Sequence, residues 1–307
     1  MSPGRVLRLL RISRTVGDLA NATAFYRDAL DFRVVGEATS DGDAWSQLMG
    51  VAGVRASSVT MRLGEQDLEL VAFDPPGDRY PPESGVADLW FQHIAIVVGD
   101  IDAAYARLCG YSFQPISERG PQRLPPSSGS VIAYKFRDQD GHPLELIQFP
   151  SATGDAAWRQ KGVGFPGIDH SAIDVADIEQ SIDFYVRALG FSVASRSINS
   201  GPAQKRLDGA REDLVDVVAL QPATAGPPHV ELLGYRKPAG RPIPPHAKTN
   251  DVVADRLVLQ VDGLARLVDV LRAENVEFIS PGIVALPRDQ QAALVRDPTG
   301  HLLLLCA

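Results

Sequence analysis

An internal repeat constrains the fold of this 307-residue chain more than any other feature. The segment TVGDLANATAFYRDALDFRVVGE, from Thr15, matches DVADIEQSIDFYVRALGFSVASR, from Asp174, with an offset of 159 positions (174 minus 15). In each copy the end of a strand is followed by an Asp helix cap and an amphipathic helix. Self-similarity at a fixed offset indicates two similar halves.

Each half is itself divided into two units. The segments FRDQDGHPLELIQF, from Phe136, and VRDPTGHLLLLCA, from Val295, each predict a β-hairpin with a tight Asp/Gly turn. A strand followed by a helix with apolar residues at three- and four-residue spacing occurs four times. The first strands are expected near residues 7–16, 91–98, 168–175 and 255–261. We therefore predict an α+β fold of four βαβββ units with mixed sheets.

The length and the repeat together indicate two domains, since domains usually span about 100 to 200 residues. Residues 151–165 are rich in Gly, Ala and polar residues, which is typical of a linker. We predict an N-terminal domain at 5–150, a linker at 151–165 and a C-terminal domain at 166–307.

Composition and charge exclude several classes of protein. The net charge of -8 argues against nucleic acid as a partner, because binding phosphates needs a concentrated Lys/Arg surface. The apolar stretch in MSPGRVLRLLRISRTV is too short and too often interrupted by Arg to be a signal peptide or a membrane span. We expect a cytoplasmic protein with no membrane partner. Cys109 and Cys306 are single residues, so any metal must be held by His and carboxylates.

Three segments together resemble the vicinal oxygen chelate superfamily: HSAIDVADIEQSIDFYVRALGF, QHIAIVVGDIDAAYARL and FRDQDGHPLELI. This superfamily includes glyoxalase I, extradiol dioxygenases and bleomycin-binding proteins. The resemblance implies two tandem glyoxalase-like domains, in which paired βαβββ units form cup-shaped sheets around a divalent metal. It also implies that the ligands are a His on the first strand of a unit and a Glu on its last strand.

Those positions are not equally suited to a metal in the four units. In chain order they are Arg11, Glu69, His93, Glu145, His170, Glu231, Arg256 and Leu304. Arginine stays protonated and cannot ligate a cation. If neighbouring units share a cleft, both sites are incomplete. If units two and three share one, His93, Glu145, His170 and Glu231 form a full set of ligands. In that arrangement Arg11 and Arg256 flank Glu69 in a second cleft, as a salt-bridged structural feature or an anion site.

The resemblance implies a cofactor and a reaction for the complete set. Two imidazoles with one or two carboxylates suit one divalent ion such as Zn, Ni, Co or Fe(II). A glyoxalase-type isomerase or lyase would act on a small-molecule substrate through a metal-chelated enediolate, with Glu145 or Glu231 as the base. The other cleft would be degenerate.

Two other functions stay open at this point. The first is an extradiol-type Fe(II) dioxygenase, and the second is a metal-free binding or resistance protein that sequesters a small molecule. The oligomeric state is open between monomer and homodimer. Three further histidines are assigned lesser roles: His142 and His301 to structural turns, and His229 to a position behind Glu231 or at a loop edge.

Overall fold

The computed structural model of the protein describes residues 4–150, 158, 164–211, 214–237 and 239–307. Most of the linker predicted at 151–165 lies outside the described residues. The exceptions are Trp158, Gly164 and Phe165, of which Trp158 is buried. The domain limits at 5–150 and 166–307 stay predictions.

Each unit of the N-terminal half begins with a strand and a helix. Unit one consists of β1 (Arg5–Thr15), α1 (Leu19–Leu30), β2 (Arg33–Ser40), α2 (Gly42–Met49), β3 (Arg55–Leu63) and β4 (Gln66–Asp74). Unit two consists of β5 (Gln92–Val97), α3 (Ile101–Leu108), β6 (Gln114–Pro115), β7 (Gln122–Arg123), β8 (Ile132–Arg137) and β9 (Pro143–Gln148). A single 3-10 turn, Pro126–Ser128, lies between β7 and β8.

The C-terminal half follows the same plan. Unit three consists of β10 (Gly167–Asp174), α4 (Ile178–Asp183), β11 (Ser192–Ser200), α5 (Pro202–Asp208), β12 (Leu214–Gln221) and β13 (His229–Lys237). Unit four consists of β14 (Arg256–Asp262), α6 (Leu264–Ala273), β15 (Val284–Ala285), β16 (Gln291–Arg296) and β17 (Leu302–Cys306). A π-helical turn, Phe184–Ala188, continues α4. The predicted α+β fold is confirmed, and units one and three contain an additional short helix, α2 or α5.

The first helices of units one, two and three start where the sequence places a capping aspartate. The side chain of Asp18 accepts a hydrogen bond from the backbone N–H of Asn21 at 3.0 Å. Asp100 and Asp177 cap α3 and α4 in the same way. These bonds satisfy backbone donors that the first turn of a helix leaves unpaired.

The strands form two mixed sheets, and each sheet contains strands from both halves. Sheet A has the order β15-β16-β17-β14-β1-β4-β3-β2, and sheet B has the order β11-β12-β13-β10-β5-β9-β8-β6, with β7 paired to β8. The first strands join the halves, because β1 pairs antiparallel with β14 and β5 pairs antiparallel with β10. Units one and four therefore share sheet A, and units two and three share sheet B, within one chain.

Strand alternation gives sheet B two different faces. On β5, Ile94 and Ile96 belong to the main apolar core, which includes side chains of both sheets and of their helices. Ala95 and Val97 belong to a smaller apolar group on the opposite face. That opposite face carries the candidate site described below.

Asp138 organises the hairpin turn between β8 and β9. Its Oδ1 accepts backbone N–H groups of Asp140, Gly141 and His142 at 2.9 to 3.0 Å. Its Oδ2 accepts the hydroxyl of Tyr26, on α1 of unit one, at 3.0 Å. The turn of one sheet is thereby attached to the helix of the other. His142 is buried, and its Nε2 lies 2.8 Å from the carbonyl oxygen of Val252.

The other half repeats this arrangement. Asp297 accepts three backbone N–H groups of its own turn and the hydroxyl of Tyr185. His301 is also buried, with Nε2 2.6 Å from the carbonyl oxygen of Asp174. Both turn histidines therefore lie in structural positions.

The negative charge of Asp138 stabilises the folded turn. Burial disfavours the ionised carboxyl, but His142, Arg14 and the backbone N–H of His142 outweigh it and lower the pKa of Asp138 to about 2. Because the pKa is lower in the folded than in the unfolded chain, the ionised form stabilises the fold. This stabilisation is complete above pH 4 or so and is lost as the pH falls towards about 2.

We expect Asp138→Asn to lower the free energy of unfolding by about 2 kcal/mol at pH 7, because it keeps an acceptor oxygen but removes the charge. The difference from the unsubstituted protein should shrink as the pH falls from 4 towards 2. Urea unfolding at several pH values measures both quantities.

Asp140→Asn is the matched control, since burial raises the pKa of Asp140 on the same turn. Its substitution should not destabilise the protein in this pH-dependent way. An Asp138→Asn effect that is the same at every pH would contradict the electrostatic explanation.

Candidate functional site

The candidate site lies on sheet B, where the first strands of units two and three run side by side. His93 on β5 is paired with Ala172 on β10, and His170 on β10 is paired with Ala95 on β5. The two imidazole centroids are 5.6 Å apart, and both side chains are buried. The alanine opposite each histidine leaves space beside its ring.

Each histidine has a glutamate on the parallel strand next to it. Glu145 on β9 is in register with Ala95, and its Oε2 lies 2.9 Å from His93 Nε2. Glu231 on β13 is in register with Ala172, and its Oε2 lies 3.4 Å from His170 Nε2. The structure therefore brings all four predicted ligands to one place.

The four side chains are not equivalent. His93, Glu145 and His170 offer ligand atoms that all lie within 4.8 Å of one another. Glu231 contacts His170 but lies beside this group of three, and 20% of its side chain is exposed. Three residues could thus bind one ion directly, with Glu231 adjacent to it.

The unpaired nitrogens at this place fit a metal. Both ring nitrogens of His93 and Nε2 of His170 are buried without a hydrogen-bond partner. His93 Nε2 and Glu145 Oε2 are close but lack the alignment of a hydrogen bond. A buried unpaired polar group costs about 1–3 kcal/mol, and coordination to a cation removes that cost. Two imidazoles and a carboxylate suit a borderline divalent ion.

Asp169 and His229 surround His170 on its other side. Asp169 Oδ2 lies 2.9 Å from His170 Nδ1, which leaves Nε2 free to face the group of three. His229 Nε2 lies 3.6 Å from Glu231 Oε1, as expected for a residue behind that carboxylate. Asp169, His170 and His229 are also close enough to hold an ion. We favour the first group because its ring nitrogens are unpaired, whereas both oxygens of Asp169 have partners, Trp158 Nε1 at Oδ1 and His170 Nδ1 at Oδ2.

The two histidines differ in charge. Burial lowers the pKa of His93, which favours the neutral ring that binds metals. For His170 burial is outweighed by Glu231 and Asp169, which raise its pKa to about 9. A cation at the site would replace that proton.

Both glutamates are ionised at neutral pH. Burial opposes ionisation of Glu145, but His93 and Lys135 outweigh it and lower the pKa. Burial likewise opposes ionisation of Glu231, yet His170 and His229 lower its pKa to about 2. The site therefore presents two carboxylates able to bind a cation or accept a proton.

The ligand atoms open onto a cavity of about 330 Å³ on the same face of sheet B. Apolar side chains such as Leu124, Val131 and Val217 form part of its wall, and Ser195 and Ser197 add hydroxyl groups. This volume is at the small end of the usual range for ligand pockets, so the cavity suits a small molecule.

A polar cluster beside this cavity was not predicted from the sequence. Its members Lys135, Gln204 and Tyr235 line the cavity, and all three donate hydrogen bonds to the buried carboxylate of Asp208. A signal for Lys135 was available, since it is a single lysine within the strand VIAYKFR and lies opposite Glu145 in the predicted hairpin. Asp208 and Gln204 lie on α5, a helix that the repeat pattern did not predict.

The equivalent face of sheet A is filled rather than open. Leu48 and Met49 of α2 pack there with Phe73, Leu294 and Leu304. An apolar core thus occupies the place that the cavity has on sheet B.

Arg11 and Arg256, the two arginines at the ligand positions of sheet A, have partners within the protein. Arg11 Nε lies 3.4 Å from Glu69 Oε2. Arg256 is buried, donates to the carbonyl oxygen of Thr249 and the hydroxyl of Thr15, and lies over the Phe73 ring. Of the two interpretations of the second cleft, these contacts favour the salt-bridged structural one.

Solved structures with this architecture include two informative ones. Glyoxalase I from Zea mays has a TM-score of 0.64 at 17% identity, over 99% of this chain and 92% of that chain. A putative dioxygenase from Bacillus subtilis subsp. subtilis str. 168 has a TM-score of 0.57 at 13% identity, over 98% of this chain and 85% of that chain. At these identities the similarity shows the fold. None of the curated proteins matches the chain.

Along the described residues no helix is long and apolar enough to cross a membrane.

The family model for the Glyoxalase/Bleomycin resistance protein/Dioxygenase superfamily matches residues 8–146 and again residues 167–305. The two matches cover most of the chain and correspond to its two halves, each of which contains two βαβββ units. The chain therefore belongs to this superfamily and consists of two tandem glyoxalase-like domains.

Proposed function

We propose that this protein is a metal-dependent enzyme of the glyoxalase type, an isomerase or lyase with one active site, on sheet B. The observation that carries the proposal is the convergence of unpaired nitrogens of His93 and His170 with the Glu145 carboxylate at a cavity. All three residues lie on strands, which hold ligands more precisely than loops do. Sheet A, filled by apolar side chains, carries the degenerate copy.

His93, Glu145 and His170 would hold one divalent ion, Zn, Ni, Co or Fe(II). When bound, the ion supplies Lewis acidity that polarises a carbonyl of the substrate. Glu231 lies beside this group, is ionised at neutral pH and lines the cavity. It is therefore placed to take a proton from the carbon next to that carbonyl, and Glu145 is assigned to the metal.

A second candidate function is an Fe(II) dioxygenase of the extradiol type. The observation that favours it is the composition of the group of three, since two histidines and one carboxylate are the ligands of non-haem iron oxygenases. Oxygen uptake with catechols, dependent on ferrous iron, would distinguish this function from proton transfer.

We expect His93→Ala and His170→Ala each to remove most of the bound metal, because each deletes one of three ligands. Mass-spectrometric metal analysis of protein purified without chelators should find about one divalent ion per unsubstituted chain and well below that in both variants.

His246→Ala is the control, since His246 is exposed in a Pro-rich loop. Full metal content in both ligand variants would contradict the proposed site. An unsubstituted protein that binds no divalent metal at all would instead favour the metal-free binding protein.

We expect Glu231→Gln to slow proton transfer by about 10²–10⁴-fold while keeping the metal, since it removes the base but no member of the group of three. Glu145→Gln, in contrast, should lower both the rate of proton transfer and the metal content. Exchange of solvent deuterium into α-hydroxy ketones, followed by NMR with the metal-loaded protein, measures the transfer. Unchanged exchange in Glu231→Gln would show that this carboxylate is not the base.

A further inference from the structure

Beyond the metal ligands, three residues of the cavity wall, Lys135, Gln204 and Tyr235, bind the buried carboxylate of Asp208. Its Oδ1 accepts a hydrogen bond from Lys135 Nζ at 2.7 Å. Its Oδ2 accepts hydrogen bonds from Gln204 Nε2 at 2.8 Å and from the Tyr235 hydroxyl at 2.9 Å. Three donors from β8, α5 and β13 thus meet on one acceptor.

This arrangement fixes the orientation of the Gln204 amide. A carboxylate that binds an ammonium group accepts hydrogen bonds and does not donate them, so the NH₂ end of Gln204 must face Asp208. The amide oxygen is then directed away from Asp208. Gln204 lines the cavity, is 3% exposed, and its Oε1 has no hydrogen-bond partner. The cavity wall therefore contains a buried acceptor without a donor.

The fold itself does not require this cluster, as sheet A shows. Leu294 takes the place of Lys135, since it lies opposite Leu304 as Lys135 lies opposite Glu145. At the 159-residue offset, Met49 corresponds to Asp208 (208 minus 49) and Trp45 to Gln204 (204 minus 45). Tyr235, opposite Val215, corresponds to Phe73, opposite Ala56. All four polar residues have an apolar or aromatic counterpart.

The charges of the cavity argue against an anionic ligand. Among the described residues that line it, Lys135 is the one lysine or arginine, and its ammonium group is paired with Asp208. Glu145, Glu231 and Asp169 line the same cavity, and their three negative charges exceed the two positive charges of the divalent ion proposed there, so the cavity disfavours an added carboxylate or phosphate. Glutathione adducts carry two carboxylates, and the described lining residues offer no unpaired lysine or arginine to bind them.

We propose that Gln204 is a specificity-determining residue, and that the substrate is a small uncharged molecule that donates a hydrogen bond from a hydroxyl or amide N–H group to Gln204 Oε1. This inference rests on the proposed function, because two oxygens of the same molecule would face the metal held by His93, Glu145 and His170. A substrate without the donor leaves the buried acceptor unpaired and binds more weakly.

The test uses benzohydroxamic acid, which is uncharged in neutral solution and, on losing one proton, binds metals through two adjacent oxygens as benzohydroxamate, together with its 2-, 3- and 4-hydroxy and 4-carboxy derivatives. Isothermal titration calorimetry with the zinc-loaded protein gives each affinity. We expect one hydroxy isomer to bind about tenfold more tightly than benzohydroxamate, as one added hydrogen bond predicts, and the carboxy derivative to bind more weakly. In Gln204→Met the gain should disappear, while the affinity for benzohydroxamate stays within about twofold.

Three results would overturn the inference: no hydroxy isomer gains affinity, the gain persists in Gln204→Met, or the carboxy derivative binds more tightly than benzohydroxamate. The first and third of these results are measured on the unsubstituted protein, so they can overturn the inference even if Gln204→Met fails to fold. Failure of the proposed function looks different, because zinc would then not bind and benzohydroxamate itself would show no metal-dependent affinity.

Discussion

The antiparallel pairing of first strands across the two halves is the constraint on which this structure depends. In the β5–β10 register, His93 lies opposite Ala172 and His170 lies opposite Ala95, so both imidazoles lie on the same face. Because side chains alternate along a strand, a slip of one residue would turn one histidine into the helix-covered core. The parallel neighbours β9 and β13 then place one glutamate beside each ring. Neither half of the chain contains all four side chains.

The two sheets provide an internal comparison of an open and a filled version of one fold. Both are built from paired βαβββ units joined through their first strands, yet their uncovered faces differ in chemistry. Sheet B has histidines, carboxylates and a lysine around a cavity, whereas on sheet A Leu48 and Met49 of α2 pack against leucines and Phe73. The polar residues of sheet B thus reflect what the cavity contains and not what the fold requires. Arg256, a buried charged residue of sheet A, is hydrogen-bonded within the protein.

The sequence predicted the four units because the 159-residue offset and the spacing of apolar residues are regular patterns. The ligand positions His93, Glu145, His170 and Glu231 came instead from the resemblance to the superfamily, applied to the first and last strands of those units. These patterns do not show which units pair, because all four units begin with a strand and a helix. Only the full set of ligands that units two and three supply together indicated their pairing. The cluster around Asp208 was missed because α5 has only seven residues and its role depends on contacts with strands far along the chain. Residues 8–146 and 167–305, which match the family model, lie within the predicted domains.

The filled face of sheet A has a consequence for how such a protein can evolve. A cavity with buried charges lowers the stability of the sheet that contains it, because those groups lose hydration and the cavity walls lose packing contacts. In a chain with a second sheet that is packed throughout, and that shares an apolar core with the first, the second sheet can compensate for this loss. Duplication of the unit thus assigns ligand binding and stability of the fold to different sheets, whereas a single sheet must provide both. One copy is free to acquire new substrates while the other keeps the chain folded.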